Sequence, residues 1–250
     1  MGKISVFVTK VDEAYLDKEF DRLYEILYPA RKEAVSKLKN KRVSYVSMTA
    51  GLILGRAYEM LYGLPSNEII IDKGEHGKPY IQGKEELKYN ISHSGDYVVL
   101  AYTMDKDIAS VGIDVEKVKV RDDDMKVANR FFTKEEIDYI SDGLECSDVD
   151  MRFYKIWTMK EAFLKLTGKG LGLRLDSFSV NPDELSISLT DNDVVGDGNL
   201  TKHENCNFGR DINNISYDMK VVDKHIISVC VDSDDDVIYE YAQITLDKPA

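Results

Sequence analysis

The seven residues from Ser110 to Glu116 alternate without a break. Val111, Ile113 and Val115 take one set of positions; Gly112, Asp114 and Glu116 take the other. Period-2 alternation belongs to a β-strand, in which residues i and i+2 share a face. A chain carrying this strand must bury three β-branched side chains on one side. On the other it must accommodate two carboxylates, with the free space of a glycine beside them. Two carboxylates on one face repel each other unless a cation lies between them. Such oxygen donors suit Mg²⁺, usually completed by substrate phosphate oxygens. An edge strand with a solvated acidic face would show the same pattern, so the spacing alone leaves both readings open.

The rest of the chain comes in two passes. Residues 3–8 predict a strand and 12–28 a helix with an apolar stripe at Leu16, Phe20, Leu23 and Leu27. A basic run from Arg31 to Arg42 holds six Lys/Arg against one Glu. A helix over about 44–62 follows, stopped by Gly63 and Pro65. Strands are expected over 68–72, 87–92, 97–103 and 111–116, with a hairpin turn at Ser94-Gly95-Asp96. In the second pass, helices cover about 122–131, 134–141 and 148–167, the last closed by Gly168. Strands are then expected near 178–180, 186–189, 217–222 and 225–231. Both passes give helices with antiparallel strands, an α+β class, divided here into halves 1–108 and 109–250. No sequence repeat links them, so any duplication would be structural only. Residues 190–214 read as a loop, and the acidic 232–250 as a peripheral tail.

Charge narrows the function classes. The 250 residues carry a formal net charge of −12, which argues against general nucleic-acid binding. From residue 181 onward 15 acidic residues face 5 basic ones, so the first 180 residues keep 28 basic side chains to meet anions. The three cysteines, Cys146, Cys206 and Cys230, are widely spaced and form neither a disulfide framework nor a zinc motif. A reducing, cytoplasmic setting fits, and no stretch suits a signal peptide or a membrane span.

Other motifs carry possible chemistry. In Trp157–Lys165, Glu161 and Lys165 stand at i, i+4 on one helix face. They could form a surface salt bridge, or act as a third metal ligand and a phosphate partner. The exit Gly168-Lys169-Gly170-Leu171-Gly172 lacks the P-loop spacing and reads as a C-cap and turn. Lys78 sits on the Gly77-Lys78-Pro79 turn and could reach a phosphate. Ser92 and His93 close a strand; a lone His serves more often as a structural hydrogen-bonder than as a ligand. Thr133-x-x-Glu136 is a capping box, which accounts for Glu136 without chemistry.

Taken in order, GKP, NISHS, GIDVEK, RFFTKEE, WTMKEAFLKLTGKGL and LDSFSV resemble the 4′-phosphopantetheinyl transferase family. Length and two-half layout are similar to its surfactin-synthetase-activating (Sfp) type, with the match strongest from Gly77 to Val180. The resemblance implies a pseudo-dimeric fold with coenzyme A bound in the cleft between the halves. It implies a monomeric enzyme, a holo-[acyl-carrier-protein] synthase, that moves the phosphopantetheine arm onto a serine of an acyl, peptidyl or aryl carrier protein. Adenosine 3′,5′-bisphosphate is released, and the carriers would serve fatty-acid, polyketide or nonribosomal-peptide synthesis. Mg²⁺ ligands are implied at Asp114, Glu116 and Glu161, and a pyrophosphate ligand and leaving-group helper at Lys165. Lys78 and Pro79 match the turn beside the adenine, and Ser92 and His93 match phosphate-contacting positions. Glu136 falls on a carboxylate proposed as general base in part of the family. The 3′-phosphate is expected at Arg31, Lys32, Lys41 and Arg42, with a solvated linker the alternative for that run. The family's arginine opening the next helix is replaced here by Ser44 or Ser47. Rival readings are a metal-dependent phosphohydrolase or nuclease and an inactive coenzyme A- or carrier-binding module. The nuclease core wants [DE]-x-K, and Asp114-Val115-Glu116 lacks the lysine. An inactive module would not need to keep all three carboxylates and Lys165.

Overall fold

A computed structural model describes residues 1–74, 77–120, 123–142, 146–190 and 212–247. The chain opens with β1 (Gly2–Lys10), α1 (Glu13–Glu25), α2 (Pro29–Ser36) and the long α3 (Lys41–Tyr62). β2 (Ile71–Lys73), β3 (Pro79–Ile81), β4 (Lys88–Ser94), β5 (Tyr97–Thr103) and β6 (Ile108–Lys117) follow. Then come α4 (Asp124–Phe131), α5 (Lys134–Ser141) and the second long helix, α6 (Cys146–Thr167). β7 (Phe178–Asn181), β8 (Ser186–Leu189), β9 (Ile215–Val222), β10 (His225–Ser233) and β11 (Val237–Gln243) complete it.

Local chemistry fixes the ends of these elements. Asp12 and Asn40 cap α1 and α3 by accepting from the amides of Tyr15 and Val43. Gly63 ends α3 at φ 66°, and Gly168 follows α6 at φ 70°, conformations that favour glycine. The β4–β5 hairpin turns at Gly95, φ 55°, with Ser94 opposite Tyr97.

The expected α+β class holds, and the duplication is one of topology. One sheet has the order β11-β1-β5-β4, the other β6-β10-β9. In each, a first strand (β1, β6) leads through a 22-residue helix (α3, α6) to a hairpin whose later strand pairs with the first. Three cores result. α1–α3 cover the first sheet around Met48, Leu54 and Leu100. α4–α6 cover the second around Met159, Phe163 and Ile226. The third core lies between the sheets and is built from Val6, Val99, Val111, Ile113, Val115 and Val229. β5 and β10 are buried along their whole length; β5 reads accordingly as an almost continuous apolar run, whereas β10 also buries His225, Ser228 and Asp232. No helix among the described residues is long and apolar enough to cross a membrane.

Two expectations are corrected. The basic run is not one linker: Pro29 opens α2, and Lys41 and Arg42 begin α3. The C-terminal segment is not peripheral: β11 pairs in parallel with β1 over seven residues, from Gly2 with Val237 to Val8 with Gln243. Cys230 is a free, buried thiol. Cys206 and most of the expected 190–214 loop lie outside the described residues.

Candidate active site

The alternation in β6 resolves as its pattern demands. Val111, Ile113 and Val115 enter the core between the sheets. Gly112 faces α6, so closely that a methyl group there would overlap the Ala162 carbonyl and stand 2.6 Å from the Leu166 nitrogen. The missing side chain lets the α6 backbone rest on the strand. That contact brings Lys165 over Asp114, two residues further along the same face.

Asp114 is 4% exposed. Its Oδ1 accepts from Lys165 Nζ at 2.6 Å and from Ser92 Oγ at 2.9 Å, and Lys165 also donates to Ser92 Oγ at 2.8 Å. Its Oδ2 is buried without a hydrogen-bond partner. Burial pushes the Asp114 pKa up, against the pull of the Lys165 charge. Glu116, half-buried, accepts from Ser94 Oγ at 2.6 Å. Glu161, half-buried on α6, has a pKa raised first by burial and then by the Asp114 charge, with Glu116 adding to it. The i, i+4 pairing of Glu161 with Lys165 is not what forms: Lys165 crosses to the strand.

Three carboxylates from two facing elements, one with an orphaned buried oxygen, are a donor set suited to a hard divalent cation. Among the described residues, no three His, Cys, Asp or Glu side chains converge as a ready-made cage. Lys165 stands as the counter-charge to Asp114.

Beside these groups lies a cavity of about 260 Å³, lined by Gly77, Lys78, Pro79 and Asn90 on one side and by Glu161, Lys165 and Gly168 of α6 and its exit on the other. A larger hollow of about 960 Å³ between α5 and the β7–β8 hairpin includes none of the three carboxylates. Lys78 borders the smaller cavity with its side chain turned inward. Its Nζ donates to Ser110 Oγ and the Val111 carbonyl at 2.8 Å and to the Leu166 carbonyl at 3.2 Å. Burial lowers its pKa to about 8. Lys78 thus caps the C-terminal turn of α6, where a cation is favoured.

Lys165 and Arg31 both lie within electrostatic reach of His93. His93 is exposed, and its pKa is lowered first by desolvation and then by the charges of Lys165 and Arg31. Arg31 lies across α3 at Gly51, where a methyl group would collide with its side chain. It donates to the Tyr28 hydroxyl at 3.1 Å and to Ser47 Oγ at 3.3 Å, and among the described residues it has no carboxylate within 4.0 Å. The rest of the expected phosphate set is turned elsewhere. Lys32 pairs with Glu25 at 2.8 Å, Lys41 with Asp17 at 2.5 Å, and Arg42 with Glu13 at 2.5 Å and Asp96 at 2.9 Å. A basic run in sequence becomes one guanidinium at the site, because helix periodicity points its members to different faces.

Glu136 is also not brought to the cleft. Its carboxylate is 2% exposed, with Oε2 accepting from the Thr133 amide and Oε1 from the Val180 amide and Lys160 Nζ, both at 2.8 Å. It closes a capping box and a buried ion pair, shielded from solvent. Lys160, absent from the sequence reading, completes that pair and also donates to the Leu175 and Phe178 carbonyls. Its only sequence signal is a lysine on the apolar stripe of α6.

Comparison with known proteins gives the family. Residues 110–229 match the family described as the 4′-phosphopantetheinyl transferase superfamily, and residues 15–105 match a 4′-phosphopantetheinyl transferase N-terminal region. The chain is similar to 4′-phosphopantetheinyl transferase Sfp of Bacillus subtilis (strain 168), 31% identical over 75% of this chain and 82% of that protein. A second 4′-phosphopantetheinyl transferase from Bacillus subtilis is 34% identical over 73% of this chain and 82% of its own length. The L-aminoadipate-semialdehyde dehydrogenase-phosphopantetheinyl transferase of Xenopus laevis is 30% identical over 64% of this chain and 56% of its own.

Proposed function

The chain belongs to the 4′-phosphopantetheinyl transferase superfamily, in its Sfp type, and from that premise we propose that it moves the phosphopantetheine arm of coenzyme A onto a serine of an apo carrier protein. The observation that carries the residue assignment is Asp114: one oxygen held by Lys165 and Ser92, the other buried and unpartnered, opposite Glu161. In the reaction the carrier serine oxygen bonds to the β-phosphorus and the pyrophosphate P–O bond breaks. The serine proton goes to a carboxylate, and adenosine 3′,5′-bisphosphate departs.

Asp114, Glu116 and Glu161 would hold Mg²⁺, which supplies charge neutralisation on the phosphoryl oxygens when bound. Lys165 donates to the pyrophosphate and offsets the charge that develops on the leaving group. Glu161 faces Asp114 from α6 and completes the carboxylate set. Pro79 and the backbone of its turn border the adenine side of the cavity, with Lys78 holding the turn against α6. Arg31 and His93 receive the 3′-phosphate; Ser92, whose proton is given to Asp114, holds Lys165 beside them, and Lys32 would have to leave Glu25 to join. The halves 1–108 and 109–250 give the two walls of the cleft, and the enzyme acts as a cytoplasmic monomer.

The decisive experiment incubates the protein with coenzyme A, Mg²⁺ and a panel of apo acyl, peptidyl and aryl carriers, and weighs the products by mass spectrometry. One added phosphopantetheine on at least one carrier, with an equal amount of adenosine bisphosphate, is the expected result. Release of the nucleotide without carrier modification would favour a phosphohydrolase.

A further inference from the structure

β4 and β6 are the facing edges of two separate sheets. They run side by side in the same direction, joined by side chains in place of backbone pairing. Asn90 Oδ1 accepts from the Ile113 amide at 3.0 Å, Ser92 Oγ from the Val115 amide at 3.4 Å and Ser94 Oγ from the Lys117 amide at 3.1 Å. Alternate residues of β4 thus meet alternate amides of β6 at a constant offset of 23 positions. Three short polar side chains satisfy the N–H groups that an edge strand would leave open. They also fix the register between the halves, and a one-residue slip would turn each of them to the other face.

Two of these rungs have a second function. A serine hydroxyl has one proton to give and two lone pairs to accept with. Ser92 gives its proton to Asp114, and Ser94 gives its proton to Glu116 Oε2 at 2.6 Å. The turn behind Ser94 is fastened from three sides. Asp96 is bound by Arg42 and Lys117, each at 2.9 Å, and the Gly95 carbonyl accepts from Arg42 at 2.8 Å. A methyl group on Gly95 would stand 2.7 Å from Lys117 Cδ and 2.8 Å from His225 Nε2, so the turn sits directly against β6 and β10. Ser94 is therefore held on both sides and is placed to aim a carboxylate.

We infer that Ser94 is a positioning residue for the transfer reaction: it fixes the rotamer of Glu116 from across the seam, so that β4 of one half sets the donor geometry on β6 of the other. The inference rests on the reading of Asp114, Glu116 and Glu161 as a divalent-cation set. Partners of this kind, hydrogen-bonded to a ligating carboxylate, typically change metal affinity or activity by about 10–100-fold when removed.

The test titrates Mn²⁺ into wild-type protein, Ser94→Ala and Ser94→Thr without coenzyme A, following free Mn²⁺ by electron paramagnetic resonance. Thermal unfolding and the Mg²⁺ dependence of carrier modification are measured in parallel. Ser94→Ala is expected to weaken Mn²⁺ binding by about 10-fold or more. It should raise the half-saturating Mg²⁺ concentration by a similar factor and leave KM for coenzyme A near wild type. Ser94→Thr keeps the hydroxyl and is expected to restore both metal readouts. A Ser94→Ala protein that melts earlier but takes up Mn²⁺ like wild type would make the seam purely structural and overturn the inference. Absence of Mn²⁺ uptake by wild type would overturn the cation reading itself, and this inference with it.

Discussion

Two of the three lysines of helix α6, Lys160 and Lys165, each meet a carboxylate from another element. Lys160 pairs with Glu136 at 2.8 Å with both side chains at most 1% exposed. Lys165 pairs with Asp114 at 2.6 Å, the lysine 29% and the carboxylate 6% exposed. The first pair is saturated: Lys160 has three oxygen acceptors and faces Phe178 at 4.3 Å, while both Glu136 oxygens are occupied. The second leaves Asp114 Oδ2 empty-handed in the interior and Lys165 open to a cavity. A buried charge with every valence met ties helices and strands together. One with a valence left over, beside open space, is arranged for something that is yet to arrive.

The largest effects should come from the unsaturated pair. Asp114→Ala, Glu116→Ala and Glu161→Ala are each expected to abolish Mg²⁺-dependent carrier modification while unfolding remains cooperative. Lys165→Ala should lower kcat by about 100-fold or more, with a smaller change in KM for coenzyme A. Steady-state kinetics with circular-dichroism melts checks both, and near-normal turnover in any carboxylate variant would remove that residue from the ligand set.

The saturated pair should respond in the opposite way. Glu136→Ala leaves the Lys160 ammonium buried and uncompensated and is expected to cost about 3–5 kcal/mol of stability. Turnover of the folded fraction at low temperature should stay within a few-fold of wild type. A Glu136→Gln variant that folds normally yet loses about 100-fold in kcat would return Glu136 to the role of general base.

Gly112→Ala sharpens the comparison further, because it strikes beneath one pair only. The added methyl must displace the α6 backbone at Ala162 and Leu166. Overpacking of this kind costs about 1–3 kcal/mol. It should move Lys165 off Asp114 and reduce transfer more than it reduces stability. A fully active Gly112→Ala enzyme would show that the close approach of helix and strand is dispensable.

The smallest expected effect is in pH. Lys78 titrates near pH 8 in the folded protein, below its ordinary value of 10.5. Between those values the unfolded chain binds the proton and the folded one has lost it, so this group makes stability rise with pH. Wild type minus Lys78→Met, compared by denaturant melts from pH 8 to 10, should show that slope. A flat difference would mean that Lys78 is more open to water than its contacts indicate.

The site was legible in the sequence wherever its signal was local. Alternation in 110–116 placed Asp114 and Glu116 on one face, and the Thr133–Glu136 spacing announced a cap. What stayed hidden depends on partners distant in sequence. Nothing near Lys165 says that it will choose Asp114, 51 positions away, over the adjacent turn's Glu161. Lys160 looks like one more surface lysine until β7 supplies its acceptors. Arg31 and Lys32 point to different faces of α2 by helix periodicity, but which face meets the site depends on the docking of α2 on α3. β11 was obscured by the acidic run Asp234–Asp236 before it, and its pairing strand lies far away in the sequence. Conversely, Asn90, Ser92 and Ser94 alternate as plainly as any strand, but local pattern cannot reveal that β6 will take their side chains in place of a backbone.

The parallel pairing of β11 with β1 has a consequence for how the protein is made. β1 leaves the ribosome long before its neighbour on one side, residues 237–243. Through most of translation the amino-terminal sheet carries an open edge that the finished protein covers. A chain stopped after Ser233 would keep that edge exposed for good, a ready template for pairing with other chains. Native assembly of the amino-terminal sheet therefore waits on synthesis of β11, and chains stopped between Ser233 and Val237 should yield aggregates in place of shortened enzymes.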